Sequence, residues 1–96
     1  MEWYIYILLC DQKIFYVGLT SNIKLRFKSH QNKYNFATKK FNEIELVYKE
    51  SYKTRFEAER REKQLKDWSR AKKTALIKGE ISLLKKLSKS RSMPNK

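Results

Sequence analysis

The chain is poor in the residues from which several kinds of site are built. It has one cysteine, Cys10, and one histidine, His30, in 96 residues. A single cysteine cannot close an internal disulfide, and one histidine with one distant cysteine cannot make a structural zinc site. Cys–His and Ser–His–Asp catalysis are left without a visible acid–base partner. No apolar run approaches the roughly 20 residues that span a bilayer, so no membrane partner is expected. The N-terminus lacks the basic start and small-residue cleavage site of a secretory signal. With the thiol packed in a strand as a small hydrophobe, a reduced cytoplasmic setting is expected, nucleoid-associated in a bacterium. Negative charge is also scarce, with 10 acidic residues against 23 lysines and arginines, a formal net charge of +13.

That imbalance costs a small domain self-repulsion, and a polyanion would relieve it. Nucleic acid is the expected partner, and each phosphate contact would release counterions. A solubilising basic surface, or association with ribosomes without catalysis, is the plainer alternative. Hydrophobic residues make up 41% of the chain, enough for a folded globule rather than a disordered polycation. The length suits one domain with one modest core, placed at residues 1–87, followed by a Ser- and Lys-rich tail over 88–96 expected to be disordered.

Residues 2–10 and 14–19 read as an antiparallel hairpin turning at Asp11-Gln12-Lys13. The first strand is apolar on both faces, which suggests a central, doubly covered position. Period two places Tyr6 and Tyr16 on one face whenever residue 6 pairs with 16 or 18. Gly18 closes the second strand, and Thr20-Ser21-Asn22 supply N-cap chemistry for a helix over 23–33. Ile23, Leu25 and Phe27 offer that helix apolar contacts, while Arg26 and His30, four apart, share one of its faces. A basic, aromatic-dotted loop over 34–42 leads to a third strand over 44–51, where Ile44, Leu46 and Tyr48 alternate with Glu45, Val47 and Lys49.

Thr54 and Glu57 form a capping box that opens a second long helix, ending near Trp68 or Ser69. Phe56, Ala58, Leu65 and Trp68 mark its inner face, and Glu62 falls on the same stripe. A carboxylate there is costly to bury without a cation or donors, unless it simply pairs with Lys66 one turn on. A further helix carrying Ala71, Ala75, Leu76 and Ile77 ends at Gly79, and Ile81, Leu83, Leu84 and Leu87 suggest one more.

Taken singly, each candidate has an ordinary reading. Tyrosine favours strands, Arg26 is one arginine among many, and His30 can be structural. A phenol near pKa 10 is a poor base at neutral pH, although cationic surroundings would favour the phenolate. The planar fork of Arg26 could instead hold a phosphate and stabilise charge developing in phosphoryl transfer.

As an ordered set, the residues resemble the GIY-YIG nuclease family. Tyr4-Ile5-Tyr6 and Tyr16-Val17-Gly18 look like the two halves of its motif, and Arg26 follows ten residues after Tyr16. His30 matches a histidine of the small single-domain bacterial branch, related to the excision-repair nuclease domain. The segment from Ala58 to Trp68 resembles the helix bearing the metal-binding glutamate, which maps onto Glu62. The likeness covers roughly residues 2–78 and departs at Tyr4 for glycine, Val17 for isoleucine, and Leu19 where some relatives carry lysine.

The resemblance implies an α/β (α+β) fold, a three-stranded antiparallel sheet flanked by helices. It implies a metal-dependent endonuclease acting on DNA phosphodiesters with Mg2+ or Mn2+, in repair or recombination. Glu62 would bind the metal, Arg26 grip the scissile phosphate, Tyr6 or Tyr16 act as general base, and His30 help with protons. Arg26, Lys39, Lys40, Lys66, Lys72 and Lys73 are the cations expected to meet nucleic acid. No helix-turn-helix or zinc finger is visible to confer sequence specificity, so substrate choice is expected to follow DNA structure. A fold-retaining binder without catalysis is the competing expectation.

Overall fold

The computed structural model describes residues 2–32 and 38–92. It divides into two compact units, residues 1–66 and 67–96. The first unit holds a three-stranded antiparallel sheet in the order β2–β1–β3, built from β1 (Trp3–Cys10), β2 (Ile14–Thr20) and β3 (Ile44–Tyr52). β1 is central, as its two apolar faces require. Ile5 and Ile7 on one side and Tyr6 and Leu8 on the other are each at most 1% exposed. Burying side chains of this size contributes about 1.5–3 kcal/mol each, which makes this strand the anchor of the core.

The hairpin turns as expected, with Asp11 (φ 52°) and Gln12 (φ 59°) in left-handed conformation. Lys13 N–H donates to the Cys10 carbonyl at 3.0 Å. Asp11 also has a long-range role, because its Oδ1 accepts from the backbone N–H of Asn42 (2.9 Å) and Glu43 (2.7 Å). One carboxylate thus ties the hairpin tip to the entry of β3. Gly18 does not close β2, which runs on to Thr20.

Helix α1 (Ile23–Gln31) starts at Asn22, whose side chain accepts from Leu25 N–H at 3.1 Å. Thr20 Oγ1 prepares that cap by accepting from Asn22 N–H at 3.0 Å. Ile23 and Phe27 pack with Phe41, Ile44 and Leu46 over Tyr6, Leu8 and Cys10, so α1 covers the even-numbered face of β1. Leu25 does not join them and is 65% exposed, because it points away from that seam. The expected continuation of α1 to Lys33, and the first part of the following loop, lie outside the described residues.

β3 breaks the expected alternation. Tyr48 pairs with Ile7 but Leu46 pairs with Leu8, so Val47 is an extra residue, a β-bulge. Ile44 and Leu46 face the α1 side. Beyond the bulge, Tyr48, Glu50 and Tyr52 face the other way, while Lys49 joins the α1 side opposite Tyr6. Helix α2 (Arg55–Asp67) opens with the expected capping box: Glu57 N–H donates to Thr54 Oγ1 at 3.2 Å, and that hydroxyl donates to Glu57 Oε1. Ala58 and Leu65 are fully buried, but Phe56 is 67% exposed with the Arg60 guanidinium 5.8 Å from its ring centre. Position 56 lies two residues, about 200°, from the Ala58 stripe, which explains its exposure.

The second unit consists mainly of α3 (Arg70–Lys78) and α4 (Ile81–Ser92). Ser69 caps α3, and Gly79 ends it at φ 74°, its N–H bonded to Leu76 O at 3.1 Å, as a left-handed cap should. Trp68 lies before α3 rather than within α2, and Ala71 is exposed where Lys72 is buried. Helix α4 continues to Ser92, past the expected start of a disordered tail at Ser88. Leucine, lysine and arginine favour helix, and the first strong breaker in the sequence is Pro94. Residues 93–96 lie outside the described residues. Among those described, no helix is long and apolar enough to cross a membrane.

Candidate active site

The β1–β2 register decides how the two phenols meet. Tyr6 stands opposite Gly18 and Tyr16 opposite Leu8, so the tyrosines are diagonal neighbours on the α1 face. Their ring centres are 6.3 Å apart. Gly18 is what lets the Tyr6 ring lie across β2. One turn of α1 then brings two side chains to the pair. His30 sits edge-on to both rings, with centres 5.7 Å from Tyr6 and 5.2 Å from Tyr16. Its Nε2 is 2.9 Å from the Tyr6 hydroxyl. Half-buried Arg26 is near enough for its positive charge to act on the same phenol.

Burial separates the two tyrosines. Tyr6 is 1% exposed and Tyr16 only half-buried. Burial pushes the Tyr6 phenol well above its ordinary range; the neighbouring Tyr16 adds to this, Arg26 pulls it back, and Glu62 pushes it further up. The expectation that cationic surroundings would ready both phenols therefore fails for Tyr6, because desolvation outweighs the one guanidinium beside it. Tyr6 keeps its proton at neutral pH. His30 is also fully buried and is held below its ordinary value, first by desolvation and then by the charge of Arg26, so it is a neutral imidazole.

Glu62 acts on Tyr6 from α2, so Tyr16, Arg26, His30 and Glu62 all bear on one phenol. Glu62 also makes the plainer contact foreseen for it. Lys66 Nζ lies 3.3 Å from its carboxylate, the glutamate side chain 22% and the lysine 56% exposed. An exposed pair of that kind contributes a few tenths of a kcal/mol and is easily exchanged. Among the described residues, no three His, Cys, Asp or Glu side chains gather as a metal cage. A lone, partly exposed carboxylate suits a hard divalent cation that keeps waters and takes substrate phosphate oxygens. It does not suit zinc.

The basic residues expected to meet nucleic acid are spread unevenly. Lys39 and Lys40 are exposed in the turn that follows Thr38, itself a partner of His30 at 2.6 Å. Lys40 Nζ is 5.4 Å from the Phe41 ring centre. Lys66 is taken up with Glu62. In the second unit Lys72 is not offered to solvent: it is 6% exposed, its Nζ 4.4 Å from the Trp68 ring centre. Packing on the indole replaces the water that an exposed ammonium would keep. Lys73 is half-buried, and burial lowers its pKa.

Three features were not foreseen. Thr38 carried no signal, since nothing in its neighbourhood points to a partner eight residues back. Lys49 reaches the face of Tyr6 only through the bulge at Val47. The third is a cluster on the opposite face of the sheet, centred on Glu50. Arg61 donates Nε and Nη2 to the two Glu50 oxygens at 3.0 and 2.9 Å, and the hydroxyls of Tyr48 and Tyr52 donate to the same carboxylate. Burial alone would raise the Glu50 pKa, but these four donors outweigh it and hold it below the ordinary value. Tyr52 is pushed up to about 12, by burial and by the carboxylate it bonds. A glutamate between two tyrosines two residues away on either side is the one sequence pattern that could have marked it. An open groove of about 450 Å3 beside this cluster is lined by Tyr52, Glu57, Arg60, Arg61 and Gln64, and includes none of the residues around Tyr6.

A central β1 carrying one half of the motif, β2 carrying the other, and an arginine and a glutamate from two helices define a class. The chain belongs to the GIY-YIG family, whose catalytic-domain model matches residues 2–75. That membership implies a nuclease domain and a nucleic-acid substrate, in a family that generally works with divalent metals. Within the family the chain is similar to small bacterial proteins called UPF0213. The UPF0213 protein of Limosilactobacillus reuteri is 35% identical over 89 residues, covering 88% of this chain and 92% of that one. A UPF0213 protein of Staphylococcus saprophyticus is 40% identical over 78 residues, 77% of this chain and 92% of the relative. The solution NMR structure of the UPF0213 protein from Bacillus halodurans matches with a TM-score of 0.54 at 33% identity, over 81% of this chain and 84% of that one.

Proposed function

We propose that the protein is a metal-dependent, structure-selective endonuclease that hydrolyses DNA phosphodiester bonds in repair or recombination. The observation that carries this reading is the convergence of Tyr16, His30, Arg26 and Glu62 on the buried Tyr6 phenol. Arg26 is half-buried and always charged, suited to grip a scissile phosphate and to offset charge as it builds. Tyr16, the more exposed phenol, takes the proton of the attacking water when ionised. Tyr6, protonated and bonded to His30, holds the imidazole in place. Glu62 would hold Mg2+ or Mn2+ after releasing Lys66. When bound, that cation would stabilise charge on the departing 3′ oxygen. Lys39 and Lys40, beside the site, guide the backbone, and Lys49 adds a cation on the same face. The same reading puts the protein in the cytoplasm, with the nucleoid.

The test is cleavage of branched, flapped, gapped and single-stranded DNA with Mg2+ or Mn2+. Glu62→Ala and Arg26→Ala are expected to abolish cutting while circular dichroism and thermal unfolding show a folded protein. The Glu62–Lys66 pair favours one competing reading, a basic nucleic-acid binder in which Glu62 is only structural. On that reading Glu62→Ala binds DNA as tightly as the natural chain, or more tightly, and the natural chain cuts nothing with any divalent metal.

A further inference from the structure

The turn that follows Thr38 is fastened at both ends and basic between them. Phe41 N–H donates to the Thr38 carbonyl at 3.1 Å, which closes a β-turn with Lys39 and Lys40 as its two middle residues. At one corner Thr38 is 0% exposed, with its Oγ1 2.6 Å from Nδ1 of His30. That ring is also 0% exposed, and its Nε2 is 2.9 Å from the Tyr6 hydroxyl. At the other corner Phe41 packs on the cluster of Tyr6, Leu8 and Cys10. The two lysines between these anchors are exposed, and Lys40 Nζ lies 5.4 Å from the Phe41 ring centre.

We propose that Thr38 and His30 are positioning residues for a contact with the DNA backbone: their buried bond holds the Lys39–Lys40 turn on the Tyr6 face of the sheet, ready to meet phosphates. Either sense of that bond, hydroxyl to ring or ring to hydroxyl, joins the two residues equally. A loose loop has to be ordered when DNA arrives, and that lost entropy is subtracted from the affinity. Here folding orders the backbone beforehand. The arrangement also gives His30 a task other than proton handling. Both its nitrogens have partners inside the core and the ring meets no solvent, so it joins α1 and β1 to the turn without touching substrate. The proposal rests on the nucleic-acid part of the reading above and not on cleavage.

Binding is read by fluorescence anisotropy with a labelled, flapped DNA duplex in EDTA, where metal-dependent cutting is stopped. Thr38→Val, similar in volume but without the hydroxyl, is expected to weaken binding about fivefold, and Thr38→Ser to restore it. Replacing Lys39 and Lys40 together by alanine is expected to cost about tenfold in the natural chain but only about twofold in Thr38→Val, because the two changes act through one contact. A merely structural role for Thr38 would make the losses multiply, and that result overturns the proposal. So does natural affinity in Thr38→Val, or in the variant without the two lysines. Should the valine variant not fold, amide hydrogen exchange of the natural chain decides. The Phe41 N–H that closes the turn is expected to exchange about a hundredfold more slowly than an unstructured amide. Exchange at the unstructured rate overturns the held turn. The expected coupling in a natural chain that cuts no DNA with any divalent metal would instead sink the nuclease reading and leave the turn standing.

Discussion

Gly18 leaves no room beside Tyr6 for a side chain of its own. A Cβ at position 18 would fall inside the van der Waals radii of Cζ and Oη of the phenol, and 2.8 Å from its Cε1. The ring cannot swing aside, because it is buried and its hydroxyl is bonded to His30. Gly18→Ala is therefore expected to destabilise the fold by about 1–3 kcal/mol, the cost of overpacking a core, and to disturb the Tyr6–His30 bond. Urea unfolding measures the first and imidazole NMR the second. A variant as stable as the natural chain would contradict this account of the glycine.

The two tyrosines should separate under substitution. Tyr16→Phe is expected to stay within about 0.5 kcal/mol of the natural stability while cleavage falls about a hundredfold or more. Tyr6→Phe leaves His30 Nε2 buried without its partner, which costs about 1–3 kcal/mol. Chemical unfolding and single-turnover cleavage on both variants check the pair. Full activity in Tyr16→Phe would remove Tyr16 as the base.

Acid should weaken the fold in two stages. The pKa of His30 is depressed from 6.5 by burial and by Arg26, and that of Glu50 lies below 4.5 because its donors outweigh its burial. In both cases the unfolded chain takes up the proton first, so it holds more protons in the window below the ordinary value. Stability from His30 is therefore full above 6.5 and declines below it, and that from Glu50 declines only below 4.5. Urea midpoints across this range should show both declines, the upper one absent in His30→Gln. Glu50→Gln should cost about 2 kcal/mol at neutral pH, since the mostly buried Arg61 loses its charged partner. A flat profile between neutral pH and 4.5 would contradict the buried, neutral His30.

Lys39 and Lys40 are exposed next to the site, whereas Lys72 is packed on Trp68. Replacing Lys39 and Lys40 by alanine should lower the slope of log affinity against log salt by about 0.9 for each phosphate no longer neutralised. Thermal stability should be unchanged. Lys72→Ala should do the reverse, lowering stability by stripping the indole of its cover and leaving the salt slope alone. Fluorescence anisotropy over a salt series distinguishes them.

Much of the first unit was legible from local rules. Alternation identified β1 and β2 and put Tyr6 and Tyr16 on one face whichever of the two pairings formed. Asn22, the Thr54–Glu57 box and Gly79 marked helix ends because caps satisfy backbone groups within three or four residues. Helical spacing put Arg26 with His30 and Glu62 with Ala58 and Leu65. The same rules erred where a local pattern met a global fact. Leu25 and Phe56 are apolar but exposed, since nothing in a helix period says where the neighbouring elements end. The bulge at Val47 reversed the faces of Tyr48 and Lys49, and no residue in that strand announces it.

The sequence by itself determined a basic chain with two phenols on one face of a hairpin, an arginine ten residues beyond, and a glutamate on the inner stripe of a capped helix. These follow from charge, period and short-range hydrogen bonding, which act between near neighbours. Only the tertiary structure decided which phenol is buried, that His30 bridges Tyr6 and Thr38, and that Glu50 binds Arg61 on the far face. Those outcomes depend on desolvation and on partners 24, 8 and 11 residues away. Such terms act only once the sheet and its covering helices have closed over the site.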